Sequence, residues 1–308
     1  TEAYPQVLRT ALAIQYMMEH IEVVIQPHEL IVGTAGGPGR YCVLYPETRG
    51  GQFPRDLPKI LKAEGKAGYA PFTLTVGFDQ GYPPYGYVGD DGQFTGFDLE
   101  LAKAVCEKNG WELKLEPIDW DAKDALIGSG TINCIWNGFT MEGREADYTF
   151  SKPYMHNEQV VVVKKDSGIN SLDDLADKNV MTQVDSAALD VLEGDQKDLA
   201  DTFAGGKAQT IGDYNNAFMQ LESGAVDAVA CDLSIADYQM AAKPDMFVKL
   251  EPLSTENYAV GFAKDGDTAM IDAVNKTLKE MYDDGTIAKL CEKWGEYGIS
   301  IDNWVLVD

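Results

Sequence analysis

From residue 72 onward, short runs with apolar positions every second residue alternate with longer stretches of helical spacing. Residues 72–78 alternate in this way and predict a strand. Residues 97–109 predict a helix, with Leu101, Ala104 and Val105 on one face and Asp98 near the start, where the helix dipole favours a carboxylate. The pattern then predicts strands at 113–117 and 131–136, with a short helix at 121–129 between them. Residues 160–164, four valines ending in lysine, predict a buried strand. Ser171-Leu-Asp-Asp174 is an N-cap signature. Further strands are expected at 180–184, 225–230 and 258–263. Further helices are expected at 186–192, 213–222, 234–242, 267–284 and 287–297, the last two divided by Asp284-Gly285. Strands alternating with helices make βαβ units, so the expected class is α/β with a largely parallel sheet. No internal repeat is visible.

The first 70 residues follow another pattern. Leu8, Ala11, Leu12, Gln15 and Met18 space as an amphipathic helix over 6–20, Pro27 breaks it, and 29–32 is a short apolar run. Turn formers crowd 34–39 and 46–58, too many for an independent core. The expectation is a small, mostly helical or irregular segment.

Charge sharpens that division. The chain has 308 residues and a net charge of −25, from 50 acidic and 25 basic side chains. Residues 1–70 hold seven of each sign and are neutral, so the whole excess lies beyond a boundary near residue 70. A hydrophobic share of 45% argues that this acidity does not signal disorder. The charge argues against nucleic acid or an anionic membrane as partner. No apolar run approaches the roughly 18 residues of a membrane-spanning helix. No export-signal pattern begins at Thr1. The five cysteines lack a Cys-x-x-Cys pair, so no zinc site, and no cofactor, is expected. Cys134 and Cys231 sit in apolar runs as buried thiols, and a Cys106–Cys291 bridge is left open.

In open α/β sheets, ligands bind where loops leave the carboxyl ends of strands. Here those loops are Asp79 with Tyr82-Pro-Pro-Tyr85, the run to Gly96-Phe97-Asp98-Leu99, Asp119-Trp120, Ile135-Trp-Asn137-Gly138-Phe-Thr140 with Arg144, Asp185-Ser186-Ala187, and Cys231-Asp232. With Tyr148-Thr-Phe-Ser151-Lys-Pro-Tyr154, Asn257-Tyr258-Ala-Val-Gly261 and Asp284-Gly285-Thr286 … Lys293-Trp294, these pieces resemble the family 3 extracellular solute-binding proteins, the amino-acid receptors of ABC importers, over about residues 72–294.

The resemblance implies a two-lobed periplasmic-binding-protein fold of type II. Lobe one is expected at 71–160 plus 258–308 and lobe two at 161–257, with crossings near 158–160 and 257–258 as the hinge. It implies a site that grips a free amino acid. Arg144 suits the ligand carboxylate through its planar fork. Thr140 would add a hydroxyl, Gly138 a backbone N–H and Asn137 a further contact. Ser186 and Ala187 supply donors at a helix start. Asp232 is the counter-ion for the ammonium. Tyr82 and Trp120 would sandwich the side chain, which Asp79 reads; this trio suits a polar or cationic side chain. One departure concerns Met141-Glu142-Gly143, three residues where the family has four before the arginine; Gly143 could absorb the difference.

The implied protein is not an enzyme. It is an extracytoplasmic monomer, periplasmic or lipid-anchored, that binds a free amino acid and docks on a membrane permease, with no nucleic-acid partner. Two rival readings are a ligand-sensing domain of a larger receptor and a dehydratase on the same scaffold, for which Asp79 and Asp185 are the only acid–base candidates. About residues 1–55, through Arg9-Thr-Ala-Leu-Ala, Ile25-Gln-Pro-His-Glu-Leu-Ile-Val-Gly33 and Tyr45-Pro-Glu47, resemble the N-terminal region of glycyl radical enzymes of the pyruvate formate-lyase-like group. No Arg-Val-x-Gly-Tyr loop occurs, so residues 1–70 are expected to be a non-catalytic segment.

Overall fold

A computed structural model describes residues 72–307, and the strand backbones at 21–25, 30–34 and 42–44. Two compact units result: residues 1–73 with 110–112, and residues 74–109 with 113–308. In the first, β1 (Ile21–Ile25), β2 (Leu30–Thr34) and β3 (Cys42–Leu44) form an antiparallel sheet in the order β1-β2-β3. At these positions the segment, expected to be mostly helical or irregular, is sheet: Ile21, Val23, Val24 and Ile25 are β-branched and favour the pleated conformation. The helix expected at 6–20 lies outside the described residues.

The second unit holds two larger sheets. After β4 (Thr73–Phe78), a small antiparallel sheet of β5 (Gly81–Tyr82), β6 (Gly86–Val88) and β7 (Phe94–Thr95) leads into α1 (Phe97–Asn109), as the sequence predicts. β8 (Glu112–Pro117) follows, then a 3₁₀ turn at Trp120–Ala122, α2 (Lys123–Gly128), β9 (Cys134–Ile135) and β10 (Tyr148–Phe150). β11 (Met155–Lys164) is a ten-residue strand. It leads to β12 (Val180–Gln183), α3 (Ala187–Glu193), α4 (Lys197–Ala200), β13 (Gln209–Ile211), α5 (Tyr214–Ser223), β14 (Ala228–Asp232) and α6 (Leu233–Ala242). The chain closes with β15 (Phe247–Lys249), β16 (Ser254–Tyr258), β17 (Gly261–Ala263), α7 (Thr268–Asp283) and α8 (Thr286–Trp294).

The first sheet runs β10-β17-β9-β4-β8, and the second β13-β12-β14-β11-β15 with β16 on β11. Neither is the largely parallel sheet the alternation suggests. β4–β9, β12–β13 and β12–β14 are parallel, whereas every pairing of β11 and of β17 is antiparallel. In the second sheet, β11 is a single long run that serves three antiparallel neighbours; in the first, β17 runs against both β10 and β9. The strand expected over 258–263 is in fact two, because Tyr258 ends β16 and the chain changes sheet before Gly261.

β11 and β16 form a ribbon from Met155 opposite Tyr258 to Gln159 opposite Ser254. Beyond it, Val160 to Val163 pair with β14, and Val161 and Val163 join a core with Val180, Ala188, Leu192, Ala228 and Ala230. A separate core under the first sheet gathers Ile118, Trp120, Ile127, Ile132, Ile135, Phe139 and Tyr148. Cys106 and Cys291 are both free and buried, so the bridge left open by the sequence is not formed.

Candidate functional site

Strand register assembles the first polar cluster. Gln159 of β11 lies opposite Asp232 at the end of β14, and Asn157 lies opposite Glu256 of β16. Cross-strand partners share a face, so two carboxylates and two carboxamides meet. The Asn157 amide nitrogen donates to Asp232 Oδ1 at 3.0 Å and to Glu256 Oε1 at 2.8 Å. The Gln159 amide nitrogen donates to the same two oxygens, each at 2.7 Å. The Tyr258 hydroxyl donates to Asp232 Oδ1 at 3.0 Å, and Thr140 donates to Glu256 Oε1 at 2.6 Å. Burial, and then the neighbouring Asp232 charge, push the Glu256 carboxyl up to about 7. Burial likewise raises Asp232, while donors from Tyr82, Gln159 and Tyr258 and the charge of Arg144 pull it back.

A second cluster is cationic. Trp120 and Phe139 pack edge to face with centroids 5.6 Å apart. Lys123 Nζ sits 5.3 Å from the Trp120 ring centre, and the Arg144 guanidinium 5.1 Å from that of Phe139. Both cations reach the segment after β12. Arg144 donates to the Asp185 carbonyl at 3.1 Å and to Asp190 Oδ2 at 2.8 Å, and Lys123 lies 3.4 Å from Asp185 Oδ2. The Trp120 indole N–H donates to the same Asp185 carbonyl at 3.1 Å. Burial, and then the Arg144 charge, push the Lys123 ammonium down.

A third group lies at β5. Asp79 is buried; it accepts from the Gly81 amide at 2.7 Å and from the Gln183 amide at 2.6 Å, and burial raises its carboxyl. The Tyr82 hydroxyl bonds that of Tyr258 at 3.0 Å, and its ring tilts against Tyr85 and Tyr214. Among the described residues, no cluster of three or more His, Cys, Asp or Glu side chains could hold a metal ion.

A model of the bacterial extracellular solute-binding proteins, family 3, matches residues 74–297. The chain belongs to this family. It is 31% identical over 226 residues to the L-cystine-binding protein TcyJ of Escherichia coli (strain K12), which covers 72% of this chain and 82% of that one. Identity to the arginine-binding extracellular protein ArtP of Bacillus subtilis (strain 168) is 31% over 225 residues, covering 72% and 85%. The crystal structure of an ABC uptake transporter substrate binding protein from Streptococcus pneumoniae with bound histidine superposes with a TM-score of 0.71 at 32% identity, over 80% of this chain and 98% of that one. These relatives are named for binding, not catalysis. The fold is that of the type II periplasmic binding proteins.

Within this family framework, several residues assigned from the sequence already have partners. The Gly138 N–H, expected to meet a ligand, is given to Asp98 Oδ2 at 2.5 Å. Gly138 has φ +57, and a Cβ there would stand 3.0 Å from the rings of both Tyr82 and Tyr258, so a side chain would be strained by the backbone and crowded by both rings. The Thr140 hydroxyl goes to Glu256, because the Thr140–Tyr258 bridge holds it beside β16. Ser186 Oγ accepts from the Leu189 amide at 3.2 Å as N-cap of α3. Ala187 opens that helix, where N–H groups lack intrahelical acceptors. Tyr82 packs on Tyr85 and Tyr214, and Trp120 on Phe139. Asn137 is 1% exposed, and neither side-chain amide atom has a hydrogen-bond partner. The short stretch before Arg144 closes as a turn, with Arg144 N–H donating to Met141 O at 3.1 Å and Gly143 at φ +81.

Sequence reasoning missed Lys123, Asn157, Gln159 and Glu256. Asn157 and Gln159 had a signal: two carboxamides at strand spacing directly before four valines share one face. Glu256 had none without the pairing of β11 and β16.

Proposed function

We propose that the chain is an extracytoplasmic receptor that closes two lobes around a free amino acid for delivery to the permease of an ABC importer. The carrying observation is a buried carboxylate pair, Asp232 and Glu256, fixed by the Asn157 and Gln159 amides, beside a separate Arg144 guanidinium whose carboxylate partner, Asp190, is exposed. A free amino acid is a zwitterion, and this pairing of opposite charges matches its ammonium and carboxylate. Arg144 supports the carboxylate role directly. It holds Asp190, whose side chain is 59% exposed and therefore easily displaced by a ligand carboxylate.

The lobes on this reading are 71–160 with 258–308, and 161–257, hinged on the β11–β16 ribbon. Ligand contacts from Asn137, Arg144, Trp120, Tyr82 and Asp79 on one lobe, and from Ser186, Ala187 and Asp232 on the other, would favour the closed form by their differential affinity. The family's description as extracellular supports the location. The names of TcyJ, of ArtP and of the histidine-bound structure support a polar or cationic amino acid. Isothermal titration against the twenty amino acids and L-cystine tests the reading, and silence from all of them would remove it. Arg144→Ala is expected to weaken the bound amino acid by more than about a hundredfold; near-wild-type affinity would show that Arg144 is not the carboxylate anchor.

A further inference from the structure

Lys123 opens a short helix, where a lysine is ordinarily solvated, yet its side chain is only 6% exposed. Its nearest carboxylate oxygen, Asp185 Oδ2, is 3.4 Å away on a side chain that is itself 46% exposed. An ammonium has three donors, and removing it from water is costly unless those donors and the charge are met. One long contact to a half-exposed carboxylate does not meet them. Arg144 adds to the cost, because a second cation converges on the same residue through the Asp185 carbonyl.

The rings explain the placement. Lys123 over Trp120 and Arg144 over Phe139 are held by two rings that pack edge to face, so the cations are positioned by the same aromatic pair. Two cations are held side by side by aromatic faces and answered, besides the Asp185 carbonyl, by the half-exposed Asp185 carboxylate and the exposed Asp190 and Asp124; together they form a seat for an anion with two oxygens.

We propose that Lys123 is the second cation of the ligand's carboxylate seat, so that the carboxylate is gripped between the Lys123 ammonium and the Arg144 guanidinium as it displaces Asp185 and Asp190. The inference rests on the amino-acid receptor reading. It adds a residue to it and sets specificity: an α-amide or ester of the same ligand loses both cations at once.

The test compares wild type, Lys123→Met and Lys123→Arg by isothermal titration with L-arginine, L-histidine and L-cystine. The tightest of the three is then repeated as its α-carboxamide. Lys123→Met is expected to weaken the free amino acid about ten- to a hundredfold, the range for one charged hydrogen bond. Its effect on the amide should stay within about twofold. Lys123→Arg should recover most of the loss, and where the amide binds neither protein this recovery decides. The melting temperature of unliganded Lys123→Met should not fall, since a poorly paired buried charge is removed. Equal weakening of amino acid and amide, unchanged affinity in Lys123→Met, or no recovery in Lys123→Arg would each overturn the proposal. If wild type binds none of the three, the comparison moves to whichever other amino acid it binds, and silence from all twenty and L-cystine would instead remove the receptor reading beneath it.

Discussion

The two charged ends of the site are built in opposite ways. At the anionic end, Asp232 and Glu256 share two amide nitrogens and take further hydroxyls from Tyr258 and Thr140, all at 2.6–3.0 Å and all buried. At the cationic end, Arg144 and Lys123 rest on rings, Arg144 donates to the Asp185 carbonyl, and the carboxylates that pair with them are half-exposed or exposed. The first end is set by strand register, the second by side chains leaning across from a turn and a short helix. A charge held by buried donors keeps its geometry with or without ligand. A charge held by an exposed partner is free to change partners, as the proposed carboxylate capture by Arg144 and Lys123 requires.

The strongest break of this contrast is Asp232→Asn. Affinity for the bound amino acid should fall by more than about a hundredfold, because the ammonium loses its buried counter-ion. The fold should hold, since one of two crowded carboxyls becomes neutral. Binding within threefold of wild type, read by titration, would mean that the ammonium sits elsewhere.

Next in size is the pH dependence of stability. The Glu256 carboxyl is raised from 4.5 to about 7 by burial and by Asp232, and Asp98 from 3.8 to about 7 by burial. A carboxyl raised on folding binds more protons in the native than in the unfolded state across that interval. Its contribution is therefore present at low pH and is lost as pH climbs through about 7, the reverse of an ordinary surface carboxylate. Urea midpoints at pH 5 and pH 8 should show this fall in wild type and a shallower one in Glu256→Gln. Equal slopes in the two proteins would separate Glu256 from the effect.

The smallest change is expected for Asp190→Ala. An exposed ion pair contributes about 0–1 kcal/mol, so stability should barely move. Ligand affinity should rise up to about fivefold because Arg144 no longer has to give up a partner. A loss of affinity would show Asp190 helping capture rather than competing with it.

Much of the fold was legible. Helix Phe97–Asn109 and the valine half of β11 follow from spacing that survives any tertiary context. The polar half, Met155–Gln159, did not read as strand because its side chains carry hydrogen bonds rather than apolar surface. The division between β16 and β17 was hidden for a related reason: Tyr258 through Gly261 are all buried, so no polarity marks the change of sheet. Loop motifs drew attention to Arg144, Asp232 and Asp79, but not to the groups that already partner the residues around them. Gly138 and Thr140 looked like free donors because Asp98 and Glu256, which take them, lie 40 and 116 residues away in the chain. Lys123 was overlooked since burial of a lysine depends on the rings around it.

The shared face of Asn157 and Gln159 has a consequence for how such a receptor can diversify. Both lie on one face of a strand that runs on into four buried valines, so a single residue inserted or deleted before them would turn the carboxamides away from Asp232 and Glu256. That end of the site tolerates almost no variation in length. The turn before Arg144 and the short helix carrying Lys123 have no such tie to a ladder, and Gly143 shows the turn closing with three residues. On the proposed reading, new ligand preferences would have room to arise by insertion and replacement around the cations, while the carboxylate pair stays as it is.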